Sequence, residues 1–393
     1  MKVSIIGNGI AGIMTAGNLR GLEPDEKKLS IDVYTNEPYP YYARIRLPEV
    51  VGSEMTIDDL RLYKEEWYQK KSINVHYEHK AVKILKDGHK VIFDNGTEAD
   101  YDRLVYACGA DGLIPKIKNS GIKGIYKLRE YEDALAIKSM IGAGAKNAVI
   151  IGGGLLGLEM ARHMTSIHDM TVIEFFPRLL PRQLDEEAAG MLKEIIENMG
   201  IKVRLDSQVI EFVGDKTLEK IILKSGEEIG SDMAVFAAGI KPRIELAKEA
   251  GLSVNRGIIT NDYLQSSDPD IYAAGDIVEY DGKVWGIIPA AVEHAAIAAH
   301  NIINGNSRKY EQTVPKTTLK VVGIDLTSIG KINLSNDEKD LYEVVVKKDT
   351  ELKIYEKYVL SDGILAGAIL FGNKCRVKWV EQNMNKKINL AEI

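Results

Sequence analysis

Lys2-Val3-Ser4-Ile5-Ile6 runs directly into Gly7-Asn8-Gly9-Ile10-Ala11-Gly12, and Asn147-Ala148-Val149-Ile150-Ile151 runs into Gly152-Gly153-Gly154-Leu155-Leu156-Gly157. Each is a short β-branched strand pattern closed by G-x-G-x-x-G. A helical pattern follows each: Ile13, Met14, Ala16, Gly17 and Leu19 after the first, Leu158, Met160 and Ala161 after the second. In such a unit the first glycine permits a sharp turn, and the second lets a pyrophosphate approach the backbone. The third lets the helix pack on the strand, so that helix amides and dipole face the phosphates. One motif alone is weak evidence. Two, each in strand–turn–helix context and each followed by a second strand ending near an acid, imply two dinucleotide sites in one chain. Leu29–Thr35 leads to Asn36-Glu37, and Met170–Ile173 leads to Glu174. A carboxylate there accepts hydrogen bonds from ribose hydroxyls and repels a 2′-phosphate. Glu174 therefore favours NADH over NADPH, a preference that Arg178 tempers.

Composition narrows the classes. The chain has 393 residues, more than one core normally supports, so two or three domains are expected. Hydrophobic residues at 45% and charged residues at 27% are globular values and exclude a largely disordered chain. A net charge of −6 argues against nucleic acid as partner. No apolar run reaches the ~18–20 residues of a membrane helix, and the N-terminus enters a glycine motif at once, so no signal peptide and a cytoplasmic location are expected. Cys108 and Cys375 are the only cysteines, which excludes a disulfide scaffold and any Cys-rich cluster or zinc site. No metal site is expected.

Three further strands complete the pattern. Tyr101–Tyr106 ends in Ala107-Cys108-Gly109-Ala110, residues 233–239 (MAVFAAG) repeat that ending, and residues 270–276 (DIYAAGD) deliver Asp276 after a glycine. With these five motifs in order, residues 1–310 resemble the two-dinucleotide-binding FAD/NAD(P)H flavoprotein reductases. These include disulfide, ferredoxin and rubredoxin reductases, the nitrite reductase flavin domain and apoptosis-inducing factor. The resemblance implies an α/β fold of two Rossmann-like domains, one for FAD and one for NAD, plus a small C-terminal α+β domain. The implied boundaries are 1–112 and 235–308 for a discontinuous FAD-binding domain, 113–234 for the NAD-binding domain and 309–393 for the last, with Tyr342–Val346 and Leu352–Leu360 as strands around residues 347–350.

Site residues carry over by position. Gly7, Gly9, Ile10, Ala11 and Gly12 would hold the FAD pyrophosphate, Asp276 the ribityl chain, and Asn36 or Glu37 the adenosine ribose. Ala81 matches a position whose backbone meets the adenine. Gly109 lies in the turn after Tyr106. Arg44, in a Y-x-R-x-x-L segment, is placed near the flavin, as is Ile288 at the start of a helix facing the pyrimidine edge. Glu159 resembles a carboxylate reaching toward the isoalloxazine, and Lys320, in the strand pattern 317–325 (TTLKVVGID), resembles a lysine close to it. Lysine in a buried strand needs a partner, and Glu159 is the expected counter-charge. Gly152, Gly154, Gly157, Glu174 and Gly239 would hold NAD.

The reaction follows from what is missing. Neither C-x-x-C nor C-x4-C occurs, and residues 41–46 (YYARIR) lack the single cysteine of relatives that reduce coenzyme A disulfides or peroxide. No catalytic group beyond the flavin is expected, with Glu159 and Lys320 tuning it, and the acceptor must be external. Leu47-Pro48-Glu49-Val50-Val51 and residues 318–325 (TLKVVGID) resemble the rubredoxin reductases, and the latter also the nitrite reductase flavin domain. The expectation is a stand-alone FAD-dependent reductase moving electrons from NADH to rubredoxin or a similar small acidic carrier, within a chain that answers oxidative stress. NADH oxidase and ferredoxin-type reductase component are the alternatives, and a non-catalytic NADH-binding redox sensor a remote one. Lys374, Arg376, Lys378, Lys386 and Lys387 around Trp379 form either a docking patch or a solvated helix face. Oligomeric state stays open, a monomer being compatible with everything read.

Overall fold

Strand Lys2–Ile6 is the centre of a five-stranded sheet in the order Ile271–Ala273, Arg103–Tyr106, Lys2–Ile6, Ser30–Tyr34, Ile73–His76. Every pairing is parallel. Such a sheet must be covered on both faces, and the four residues Val3–Ile6 are buried as that requires. Helix Ile10–Leu22 packs against helix Ile288–Asn304, whose alanine-rich face (Ala290, Ala291, Ala295, Ala298, Ala299) permits close approach.

The second glycine motif opens the same architecture. Its sheet runs Lys202–Arg204, Asp169–Ile173, Asn147–Ile151, Met233–Phe236, Ile125–Lys127, again all parallel. Each half also carries a three-stranded antiparallel meander: Ala81–Leu85, Lys90–Phe93 and Glu98–Asp100 in one, Val209–Val213, Lys220–Leu223 and Glu228–Gly230 in the other. The repeat signalled by two hexapeptides thus extends through each half.

A third sheet is antiparallel, in the order Lys316–Val321, Ile324–Gly330, Ile364–Phe371, Ile354–Ser361, Glu343–Asp349. Helix Val377–Asn383 closes one face over a core of Tyr358, Leu360, Leu365, Leu370 and Val380. The expected hairpin is present, but its turn falls at residues 350–353, so Lys347, Lys348 and Asp349 extend the strand.

The computed structural model describes residues 1–53, 55–164 and 166–393. Its packing divides into a unit of Met1–Arg46, Met55–Asp111 and Ile240–Thr313 and a unit of Leu47–Glu54, Gly112–Gly239 and Val314–Ile393. The packing differs from the expected boundaries in several stretches. Residues 235–239, expected in the FAD-binding domain, go with the second unit, because strand Met233–Phe236 pairs with Asn147–Ile151 inside its parallel sheet. Tyr310–Thr313 stays with the first unit, the buried Tyr310 ring lying edge-on to His294 at 4.6 Å and its hydroxyl bonding Thr313 at 2.8 Å. Helix Leu47–Gly52 belongs with the second, against helices Tyr131–Gly142 and Leu155–His163. The third sheet joins that unit through Asp185, which caps helix Glu186–Asn198 and accepts hydrogen bonds from Tyr355 (2.6 Å) and Lys357 (3.0 Å). Among the described residues no helix is long and apolar enough to cross a membrane.

Candidate functional site

In the first glycine turn, Gly7 has φ 110°, and a Cβ there would lie 2.2 Å from the Ala107 carbonyl oxygen. A Cβ on Gly12 would lie 1.9 Å from the Gly7 carbonyl oxygen. These two glycines are required by the protein's own backbone. Gly9 is different: its nearest neighbour is the Arg44 Nη1 at 3.8 Å, so its bareness serves something outside the chain. It is also the N-cap of helix Ile10–Leu22 and offers no side-chain cap, leaving the first amides for an anion. Beside it Asn8 is 5% exposed, and neither of its buried amide atoms has a partner at hydrogen-bond geometry. Such orphans are uncommon unless a ligand completes them.

Distant motifs converge on this turn. Gly275 packs so closely that its Cβ would meet that of Ala11 at 2.7 Å and that of Ala291 at 3.9 Å. This brings half-buried Asp276 and the start of helix Ile288–Asn304 to the same place, with Ile288 44% exposed. Glu37 is buried, accepting from the Tyr42 hydroxyl (2.7 Å) and the Arg44 guanidinium, which also lies over the Tyr42 ring. Asn36 is exposed. Of the two ribose candidates, Glu37 is therefore committed to holding Arg44 over the glycine turn, and Asn36 faces outward. Ala81 packs beside the Tyr34–Phe93 stack. Gly109 (φ 65°) accepts the Arg243 amide. Pyrophosphate held by Gly9 and the helix amides, with Asp276 beside it, is what an FAD would need here, and the residues fit it.

Gly152 (φ 120°) and Gly157 repeat the backbone conflicts, at 2.5 Å from the Ala237 oxygen and 2.0 Å from the Gly152 oxygen, while nothing lies within 4 Å of a Cβ on Gly154. Glu174, 6% exposed, accepts the Gly153 amide with Oε2 (2.7 Å) and the Phe176 amide with Oε1 (2.9 Å). The turn opens into a cleft of about 640 Å³ lined by Gly152, Gly154, Glu174, Phe176, Arg182 and Gly239 among others. That volume suits a nucleotide. Arg178 faces away, toward the Pro181 carbonyl and the Asn333 side chain, both at 3.4 Å. Arg182, which sequence reasoning passed over, is the arginine on the cleft wall. Spacing within a loop gives no indication of which of two arginines points inward.

Two expected partners are not together. Lys320 is exposed, on an edge strand opposite Asp325, and not in a buried one. Glu159 accepts the Val322 amide at 2.7 Å and lies 3.7 Å from Arg162 and from His163. Val322 sits at φ 46°, unusual for a β-branched residue, in the tight Val322-Gly323 turn. Burial pushes the Cys108 thiol up to about 12, and its sulfur lies 3.5 Å from the Ile6 carbonyl oxygen. A raised thiol pKa disfavours the thiolate, the form that acts as a nucleophile.

Residues 1–299 match the family model described as pyridine nucleotide-disulphide oxidoreductase, and residues 315–388 match the rubredoxin NAD+ reductase C-terminal domain. The chain is 35% identical to the assimilatory nitrate reductase electron transfer subunit of Bacillus subtilis over 95% of its own length, but spans only 48% of that protein. It spans about half the length of such curated relatives. It is 32% identical to the NADH-rubredoxin oxidoreductase of Clostridium acetobutylicum, covering 89% of each chain. The NAD-dependent persulfide reductase from A. fulgidus superposes with a TM-score of 0.87 at 28% identity, over 98% of this chain and 77% of that one. Two glycine turns built to one plan, a Gly-Asp strand beside the first, and a family match over three quarters of the length place this chain in the pyridine nucleotide-disulphide oxidoreductase family of FAD- and NAD(P)H-dependent reductases.

Proposed function

We propose that the chain takes electrons from NADH through FAD and passes them singly to a small carrier protein, rubredoxin being the first choice. The observation that carries this is the closed cysteine chemistry. Cys108 and Cys375 are the only cysteines and lie in different units, burial raises the Cys108 thiol and so disfavours its thiolate, and Cys375 is exposed. The electrons must therefore leave for a group outside the chain. Bound FAD supplies the conversion of a two-electron donor into single-electron transfers. The protein's part is to bind and orient. Gly9 and the amides of helix Ile10–Leu22 take one pyrophosphate, and Gly154 and helix Leu155–His163 take the other. Asp276, after Gly275, would take the ribityl hydroxyls, exposed Asn36 would be left for the adenosine ribose, and Glu174 would accept from the nicotinamide nucleotide's ribose.

The C-terminal segment supports the choice of carrier through its match to the rubredoxin reductase domain. Its basic cluster is partly spent: Lys374 lies 3.7 Å from Asp325, and the Arg376 guanidinium rests on Trp379 at 4.6 Å. Lys378, Lys386 and Lys387 remain exposed, three positive charges suited to an acidic carrier.

The test is anaerobic stopped-flow. NADH-reduced protein is mixed with oxidised rubredoxin, a [2Fe–2S] ferredoxin or oxygenated buffer while flavin absorbance is followed. Fast reoxidation by rubredoxin and slow reoxidation by the others is expected; if oxygen is fastest, the chain is an oxidase. In the same instrument Cys108→Ala is expected to keep the rate of flavin reduction by NADH within about twofold, since a protonated thiol has no part in the transfer. A rate loss of an order of magnitude or more, with FAD retained, would show that the thiol participates.

A further inference from the structure

We propose that His294 is a positioning residue for FAD, holding the Gly275–Val278 turn so that Asp276 is set for the ribityl chain. This rests on that turn being part of the FAD site. The first support is how the turn is held. The Val278 amide closes it by donating to the Gly275 carbonyl at 3.1 Å, and Asp276 is its second residue. The flanks are fastened to strands Arg103–Tyr106 and Ile258–Ile259: the Ala274 amide donates to the Tyr106 carbonyl at 3.1 Å, and the Ile258 amide to the Ile277 carbonyl at 2.8 Å. The Gly275 corner packs instead on helix Ile288–Asn304, where its Cβ would lie 3.9 Å from that of Ala291. His294 follows Ala291 by three residues, on the same face of that helix.

The second support is the state of the ring. His294 has no exposed surface, and among the described residues neither of its nitrogens has a partner at hydrogen-bond geometry. The Tyr310 ring lies edge-on at 4.6 Å, but its hydroxyl is taken up with Thr313, which donates to Glu293 at 2.6 Å. Burial pushes the imidazole down to about 4, while the Gly275 backbone acts the other way, as a carbonyl accepting from the ring does. A lowered pKa favours the neutral ring, which has one N–H to give.

The third is what the ring costs. A buried polar group short of a full partner weakens the fold that contains it. An apolar side chain of similar volume would fill the space without that cost and would leave the Gly275 carbonyl its Val278 amide. A residue that weakens the fold while facing the turn that carries Asp276 is accounted for by the ligand that the turn serves.

The experiment compares His294→Gln with His294→Met in the full chain. The two side chains have the same length, and only the glutamine carries N–H donors. FAD affinity is read by fluorescence titration of the FAD-free protein, and the fold by the melting temperature of that same FAD-free protein. His294→Met is expected to bind FAD about tenfold more weakly than the wild type, as losing one hydrogen bond implies, and to melt no lower. His294→Gln is expected to stay within about threefold of the wild-type affinity. The proposal is overturned if the two variants bind FAD alike, or if His294→Met melts lower in step with its loss of FAD, the result of a packing role alone. If the wild type binds no FAD, the assignment of the first glycine turn falls, and the proposal with it.

Discussion

Gly12→Ala is expected to yield a protein that no longer retains FAD and unfolds earlier than the wild type. The new Cβ would sit 1.9 Å from the Gly7 carbonyl oxygen and 3.0 Å from its carbon. Both atoms are backbone, so no side chain can rotate away. Either the helix Ile10–Leu22 lifts from strand Lys2–Ile6 or the turn opens, and in both cases the amides facing the pyrophosphate are lost. Overpacking of this kind costs about 3 kcal/mol. The ratio of flavin to protein absorbance after purification measures the loss. Gly9→Ala separates fold from ligand, because its nearest protein atom would be 3.8 Å away. That variant should melt with the wild type and yet bind FAD at least tenfold more weakly, as a methyl group placed against a phosphate implies. Full FAD retention in Gly9→Ala would refute the assignment of this turn.

Asp185→Ala is expected to cost about 2–3 kcal/mol, because one side chain serves as helix cap, hydroxyl acceptor and ion-pair partner at once. It accepts the Ala188 amide at 3.1 Å, the Tyr355 hydroxyl at 2.6 Å and the Lys357 ammonium at 3.0 Å. Denaturant unfolding compares the two proteins. Burial opposes the charge, but the bonds from Tyr355, Ala188 and Lys357 prevail and hold the carboxyl below its ordinary 3.8. A depressed folded pKa stabilises above the unfolded value and is lost as pH falls through the folded one. The difference between wild type and Asp185→Ala should therefore be full near neutrality and narrow below about pH 4. A difference that grows on acidification would contradict this reading.

The glycine turns were legible because backbone sterics leave no alternative. At Gly7, Gly12, Gly152 and Gly157 a carbonyl oxygen occupies the space a Cβ would take, so the hexapeptide is written into the chain. The second half of each site was less so. Lys320 read as buried because residues 317–325 look apolar, yet they form an edge hairpin whose residues alternate between faces, and Lys320 falls on the open one. Glu159 read as a flavin contact because it follows the glycine turn. Its carboxylate also accepts an amide from Val322, a partner 163 positions away that no local pattern announces. Glu37 and Asn36 were indistinguishable by spacing, and the ion pair of Glu37 with Arg44 is a tertiary contact that spacing does not show. Leu47–Gly52 read as part of the first domain by adjacency. Gly52 packs against His163, where a Cβ would lie 2.2 Å from the carbonyl oxygen, and only the tertiary structure brings those residues together.

With FAD as the sole electron store in this chain, every pair of electrons received from the nicotinamide must leave for an external acceptor. An anaerobic reductive titration tests it directly, with flavin absorbance and free thiols followed together. Two electrons per chain are expected to complete the reduction of the FAD-loaded protein, with the thiol count, two from Cys108 and Cys375, the same before and after. Uptake of four electrons per chain, or the appearance of thiols on reduction, would contradict it.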